Sequence, residues 1–383
     1  MQEQGNTYGF KDGRPSTHYT QTKNYRSLTV YDIFNMSDDE VFEMMRKVRF
    51  GAVDKQVCPD CKSTDSHWFI KSRKQWTCKN CKHRFSVTSG SVFNNTKLPL
   101  RKLLLIAFKF VSSPQGASAS SVISIADVCY KTAYLNLMKI REAIYETRDQ
   151  SKLSGVIHMD CMFICGKPRK GNQRLKSDSA SVNAKFRNRK YSINPDKSTY
   201  PEPWNRLKEL NNRVVLAMSQ TRQTQDGSYG SDRTIFYIIP NESWKYMKQP
   251  IKDSISKDAV IITDGGRSYN RITLELGMTH FAVNHSKQYM DEFGVNNNMA
   301  ECFFSRMRRA EFGVFNAVAP KYLAFYIGEF AYRNDHNKYD CMKVQFEQFL
   351  SRIMKNEPSK AFTGYCQGKR LGFEHMYEGP SIQ

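Results

Sequence analysis

Long apolar runs are missing from this chain. The opening Met1-Gln2-Glu3-Gln4-Gly5-Asn6 is polar, so no signal-peptide core is expected there. No run reaches the roughly 18 apolar residues that a membrane helix needs. Low-complexity bulk is absent as well, and 40% hydrophobic residues with 13% aromatics suffice for packed cores. Acidic charge is scarce: 37 Asp+Glu face 58 Lys+Arg, a net charge of +21. That imbalance points to a polyanionic partner, nucleic acid before a merely solvated basic surface. Of the 10 cysteines, four form two Cys-x-x-Cys units and the rest are scattered, which argues against a secreted disulfide scaffold. The expectation is a soluble protein of a reducing compartment.

A length of 383 residues exceeds one typical core. The pattern divides into an arm and helix at 1–50, a metal-binding ribbon at 51–95, and a helical region at 96–150. A larger α/β unit follows at 151–338, then a C-terminal helix and tail at 339–383. Ser37 with Glu40 forms a capping-box signature that opens the first clear helix.

Cys58-Pro59-Asp60-Cys61 and Cys78-Lys79-Asn80-Cys81 are separated by sixteen residues. Each pair turns two thiolates toward one point, and tetrahedral Zn²⁺ takes four of them at about 2.3 Å. The spacing is that of a zinc ribbon; redox pairs or plain buried cysteines are the alternatives. With four Cys ligands no position remains for water, so the zinc is expected to be structural. Between the pairs, Trp68-Phe69-Ile70 and Lys74-Gln75-Trp76 read as short strands with basic residues among aromatics, a pattern suited to a nucleic-acid face.

Leu98-Pro99-Leu100 opens a helix that Pro114-Gln115-Gly116 ends. Ile125–Cys129 and Tyr130–Ile144 then outline a helix-turn-helix, in which Thr132, Asn136, Lys139 and Arg141 face DNA and Ala133, Leu137 and Ile140 pack. A plain helical linker is the bland alternative.

Strand patterns begin at Val156. Val156–Ile164, Arg213–Met218 and Thr234–Ile239 predict an antiparallel meander, followed by strands at Val260–Thr263 and His280–Asn284. Helices over 299–311, 320–334 and 340–354 close the chain. This order is that of an RNase H-like (retroviral integrase-like) α/β core. Between the first two strands lies an insert, about 167–208, whose Lys167–Lys190 part holds nine Lys/Arg, including Lys167, Arg169, Lys170 and Arg174, against Asp178 alone. Such a loop tracks DNA or is simply solvated.

Asp160 and Asp264 each close an apolar run, and Gly265-Gly266 follows the second. On a helix, Glu301, Ser305 and Arg308 share one face while Met299, Phe303, Met307 and Ala310 share the other. Three carboxylates in this arrangement could converge on divalent cations. Two-metal phosphoryl transfer needs such a cage, with ions about 3.5–4 Å apart. Arg308 would hold a phosphate or, more simply, a surface ion pair.

At these motifs the chain resembles insertion-sequence DDE transposases of the IS-fifteen-ninety-five (ISXO-like) family, whose eukaryotic relatives are the Merlin elements. The resemblance covers the ribbon with Phe85–Phe93, the helical segment to Ile144, Asp160–Lys167, Val260–Asn270, Val283–Lys287, Asn298–Gly313 and Tyr326–Asn334. It implies cleavage and joining of DNA at terminal inverted repeats, with Asp160, Asp264 and Glu301 holding Mg²⁺ or Mn²⁺. It also implies at least a dimer on DNA, working in the cytoplasm at the nucleoid, or in the nucleus of a eukaryotic host. Asn298 would assist Glu301, and His285 would orient water or phosphate. Cys161 and Cys165-Gly166 stand where the family usually has Glu and Gly-Gly, and Arg308 where Lys is common. A non-catalytic DNA-binding regulator derived from a transposase is the competing reading, and a nuclease acting on RNA–DNA hybrids is a third.

Overall fold

The computed structural model describes residues 10–11, 14–15, 23, 25–51, 55–64, 67–164, 213–223, 229–264, 266–283, 298–316, 318–336, 341–377 and 379. The polar arm carries two two-residue strands, β1 (Phe10–Lys11) and β2 (Arg14–Pro15), paired antiparallel. Helices α1 (Val30–Asn35) and α2 (Asp38–Phe50) both start at capping boxes. At α2, Ser37 N donates to Glu40 Oε2 at 2.6 Å and Glu40 N donates to Ser37 Oγ at 3.2 Å, which satisfies two of the donors a helix start leaves open.

The ribbon is a three-stranded antiparallel sheet, β3 (Trp68–Ile70), β4 (Gln75–Thr77) and β5 (Arg84–Ser86). Trp76 on the middle strand is buried and stacks on Phe42 of α2 and on Phe85 of β5, both at 5.7 Å between centroids. Three helices follow: α3 (Leu100–Ser112), α4 (Ala119–Ala126) and α5 (Tyr130–Glu146). The core of this half is closed by a helix from the other end of the chain. Phe346 and Phe349 of α9 (Met342–Lys355) pack on Phe108 and Phe110 of α3 at 5.5 and 5.4 Å.

The second half is a mixed α/β core built on β6 (Val156–Ile164), β7 (Arg213–Gln223), β8 (Tyr229–Ile239), β9 (Val260–Thr263) and β10 (Thr279–Ala282). The strand order is β10-β9-β6-β7-β8. The first three strands form the expected antiparallel meander, while β6–β9 and β9–β10 are parallel. The hairpin β7–β8 runs past its apolar part because its polar end is internally bonded: Ser219 and Ser231 each lie 3.1 Å from the Thr234 hydroxyl. One face of the sheet is covered by α6 (Trp244–Ser254), with Met247 and Ile251 buried against Met159 and Leu216. The other is covered by α7 (Asn298–Ala310) and α8 (Leu323–Asp335), whose Phe303, Met307 and Ile327 meet Met162, Ile164 and Val215. Successive strand residues point to opposite faces, so Asp160 shares its face with Met162 and Ile164, the side on which α7 lies.

Candidate active site

Adjacent parallel strands bring the first two acids level. Val156 pairs with Val260, Ile157 with Ile261 and His158 with Ile262, so the same register carried two residues on sets Asp160 beside Asp264. Asp160 is half-buried, and its own carboxylate accepts from the Cys161 N–H at 2.7 Å. Asp264 is exposed at the strand end and accepts from Gly266 N at 3.2 Å, a turn that fixes its side chain. Glu301 lies in the first turn of α7, exposed with Ser305 and Arg308, while Phe303, Met307 and Ala310 are buried behind it. The Asp160 carboxyl is pushed up to about 7, first by burial and then by the negative charges of Asp264, Glu242 and Glu301, against the lowering pull of the Cys161 N–H. Oxygen donors of one sign, crowded with no cation among the groups that dominate Asp160, suit a hard divalent ion. The carboxylates are not drawn to within 4.8 Å of one another; among the described residues, that closeness is reached by the four ribbon cysteines.

Glu242 was not expected from the sequence. It occupies the turn between β8 and α6, and its carboxyl is pushed up by burial and by Asp264. Nothing local marks it, because an acid between Asn241 and Ser243 looks like any polar turn residue. Beside it, Tyr269 is fully buried. Cys161 is turned to the opposite face of the sheet from Asp160; its thiol lies 3.9 Å from Met247 Sδ, and burial pushes it well up. It is a packed neutral thiol.

The ribbon cysteines form the second candidate metal centre. Cys58–Cys81 and Cys61–Cys78 Sγ atoms are each 3.6 Å apart, and all four lie within 4.8 Å of one another. A tetrahedron with bonds of about 2.3 Å has edges of about 3.8 Å, so the cluster fits structural zinc. The two knuckles repeat one geometry. Cys58 N donates to Ser63 O and Cys78 N to His83 O, at 3.0 and 2.8 Å. Lys62 and Lys82, each one residue past a second cysteine, adopt left-handed φ values of 59° and 62°. Backbone N–H groups of residues 60 and 61 point at Cys58, and those of 80 and 81 at Cys78. These donors favour thiolate, the form that binds metal, while burial pushes the Cys58 thiol up to about 12. Cys61 is lowered to about 7, chiefly by the Ser63 N–H.

Comparison with known families finds two matching domains, the first of which spans the acids and the second most of the ribbon. A family model described as ISXO2-like transposase domain matches residues 152–335, and one described as transposase zinc-ribbon domain matches residues 36–84. By these two matches the chain is similar to ISXO2-like transposases in both its ribbon and its larger α/β part. An uncharacterized protein in transposable element ISH50 of Halobacterium salinarum is 25% identical over 109 residues, 28% of this chain. The match spans 36% of that protein's length.

Asp160, Asp264 and Glu301 all fall inside the ISXO2-like transposase domain. Of the supporting residues expected there, Arg308 is exposed two turns along α7 from Glu301. Asn298 begins that helix. His285 and the insert cations Lys167, Arg169, Lys170 and Arg174 lie outside the described residues.

The expectation that Arg141 faces DNA is corrected. Arg141 is 1% exposed and points into the junction of the two halves. Its Nε lies 2.6 Å from Glu329 Oε2, its Nη2 donates to Ala117 O at 2.8 Å, and its guanidinium sits 4.4 Å from the Tyr326 ring centroid. Arg333 binds the other oxygen of Glu329 at 2.6 Å. Gly116, at φ 88°, lets the loop pass over this group: a Cβ there would come within 2.8 Å of Phe315. Asn136 is also buried, donating to Thr132 O at 2.9 Å. Lys139 is half-buried beside Glu142, and burial lowers its pKa. The α4–α5 pair with its three-residue turn is present, but this face of α5 is used for packing.

Proposed function

We propose that this chain is a DNA transposase whose ISXO2-like domain is an RNase H-like nuclease and strand-transferase core. The observation that supports the reading is the strand register that sets Asp160 level with Asp264 on adjacent parallel strands, with Glu301 on the helix that covers the same face. The strand order β10-β9-β6-β7-β8, with β7 alone antiparallel to both its neighbours, supports the RNase H-like topology. The three carboxylates hold Mg²⁺ or Mn²⁺. Bound there, such ions supply activation of a water or a 3′-hydroxyl and stabilisation of the leaving oxygen. The chain's own contribution is placement. The two aspartates are fixed at strand positions by the sheet, and the helix presents Glu301 while its apolar side is locked into the core. Arg308 on the same helix face provides a cation for a DNA phosphate.

The ribbon carries the first DNA contact. Trp68 is 52% exposed on β3, with Lys82 Nζ 4.7 Å and Lys79 Nζ 6.0 Å from its ring centroid. An exposed aromatic flanked by cations suits a nucleic-acid backbone, in keeping with the net charge of +21. The DNA partners are the terminal inverted repeats of an element and its target, and joining two ends calls for at least two copies of the chain.

The test is strand transfer on DNA carrying the element's flanking terminal repeats, with Mg²⁺ or Mn²⁺. Joined products from the wild-type protein, lost in Glu301→Gln while end binding persists, are expected. Equal activity of Glu301→Gln removes Glu301 from the ligand set, and tight binding without any joining by the wild type leaves a DNA-binding regulator instead.

A further inference from the structure

Packing uses up the face of α5 that helical spacing assigns to DNA, yet the first turn of that helix stays open and aromatic. Tyr130 is 55% exposed. Its ring stacks on Tyr134, 6.3 Å away between centroids and 12° from parallel, and Tyr134 in turn meets Tyr365 at 5.7 Å. The Arg370 guanidinium sits 4.1 Å from the Tyr365 centroid and closes the row. Three rings and a cation thus line up from two segments far apart in the chain.

The second segment is anchored on both sides of this row. Before it, Glu142 accepts from Lys360 N and Ala361 N at 2.8 Å each, and Phe362 is buried against Tyr322 and Phe325. After it, Glu374 accepts from Arg213 through both oxygens, at 2.6 and 2.9 Å. Between these anchors the backbone turns back on itself: Gln367 N and Lys369 N both donate to Gly364 O, at 3.0 and 3.1 Å. Gly364 and Gly368 allow this with φ values of 77° and 93°. Lys369 and Arg370 are exposed at the end of the turn, and Arg370 Nη1 donates to Tyr365 O at 2.7 Å, which fixes the guanidinium over the ring. An arginine already held in place loses less freedom when it binds.

Charge on the two segments is of one sign. Neither residues 129–141 nor residues 360–373 include an acid. Asp127, just before α5, is paired with Lys102 at 2.9 Å. Lys131, Lys369 and Arg370 are all exposed. Cations beside stacked rings suit a nucleic-acid strand, the cations for its phosphates and the rings for its bases. A duplex keeps its base faces inside its own stack, so a ring exposed at the end of a row matches an unpaired base.

We propose that Tyr130, Tyr134, Tyr365 and Arg370 form a docking surface for single-stranded DNA. One base stacks on Tyr130, and the adjoining phosphates meet Lys131, Lys369 and Arg370. This rests on the DNA-binding reading above and adds to it a place for a strand that has left its duplex, as ends produced by cleavage do when they fray. None of the ribbon residues takes part.

The test is fluorescence anisotropy of the full-length, zinc-loaded protein with a short labelled single strand and with the duplex of the same sequence. Tyr130→Ala is expected to weaken single-strand binding at least about fivefold, the lower end of what one stacked base contributes, and to leave duplex binding nearly unchanged. Tyr130→Phe keeps the ring and is expected to bind as the wild type does. Arg370→Gln removes one phosphate contact and should lower the salt slope of single-strand binding by about 0.7. A strand carrying 5-iodouracil should photo-crosslink to Tyr130. If Tyr130→Ala binds the single strand with wild-type affinity while Trp68→Ala loses duplex, the tyrosine row is overturned and the ribbon reading stands. Equal losses on strand and duplex overturn the unpaired base. A wild-type protein that binds neither form removes the DNA-binding reading, and this surface goes with it.

Discussion

In the ribbon, four sulfur ligands come from two short loops that repeat the same turn, and their Sγ atoms already stand at tetrahedral separations. In the transposase domain, the carboxylates come from β6, the end of β9 and α7, elements far apart in sequence, and their oxygens remain farther apart than the thiolates. The contrast is one of purpose and of charge. Four soft ligands closed by local turns make a site that shapes the chain around one ion. Carboxylates spread over a rigid sheet and helix would, in the function proposed, make a site open to substrate at the cost of mutual repulsion. The first centre depends on local chain geometry, the second on the whole core.

Removing zinc is the largest expected effect. Structural zinc contributes roughly 10–16 kcal/mol of apparent folding energy in small zinc modules. A strong chelator, or Cys78→Ser, should release zinc and open the ribbon to protease while the β6–β10 sheet stays resistant. A ribbon that remains protected after complete zinc loss would erase the contrast.

Next is Arg141→Ala, which strips a fully buried ion pair and leaves Glu329 facing Arg333 alone. Breaking one partner of a buried pair costs about 3–5 kcal/mol. Urea unfolding should show a loss of that order. Strand transfer should fall more than zinc content does, because the acid site depends on core packing. A loss below about 1 kcal/mol would show that the junction bears little of the fold.

The third prediction concerns protons. Asp160 and Asp335 are each pushed up to about 7 in the fold, from an ordinary carboxylate value of 3.8; burial leads in both cases. A folded-state value above the unfolded one means that the folded protein binds the extra proton. Stability of the metal-free transposase domain should therefore rise as pH falls from 8 toward 6, approaching about 1.4 kcal/mol per pH unit for each such group. Thermal melting should show the slope, reduced but not abolished in Asp160→Asn, and Mg²⁺ should flatten the part that belongs to Asp160. A slope unchanged by that substitution would mean that the acid cluster stores no repulsion.

The smallest effect is at Ser37. Ser37→Ala removes a cap whose oxygen accepts from Glu40 N, and should cost about 1 kcal/mol without altering zinc content or strand transfer.

What the sequence disclosed follows the same division. The knuckles were legible because their ligands are neighbours in the chain. Strands β6 to β10 were legible as apolar runs, and α7 by the spacing of Phe303, Met307 and Ala310, since periodicity reports which side of an element is covered. Arg141 was misread for the converse reason. On a helix a cation signals solvent, and its partner Glu329 lies 188 positions away, so no local pattern shows that the charge is neutralised. Glu242 was missed because the β8–α6 turn meets the segment after Asp264 only in the folded chain, where Ser268 Oγ donates to Glu242 O. The packing of α9 on α3 is equally silent, for amphipathic spacing predicts a helix but never names the surface it meets.

That last contact bears on how the molecule is made. Phe346 and Phe349 complete a core whose other side chains begin at Leu28. A ribosome releases the ribbon and α3 long before it releases α9. The ribbon-side core thus waits for α9 before its interior is sealed, and a chain that stops short of α9 leaves that earlier core unfinished.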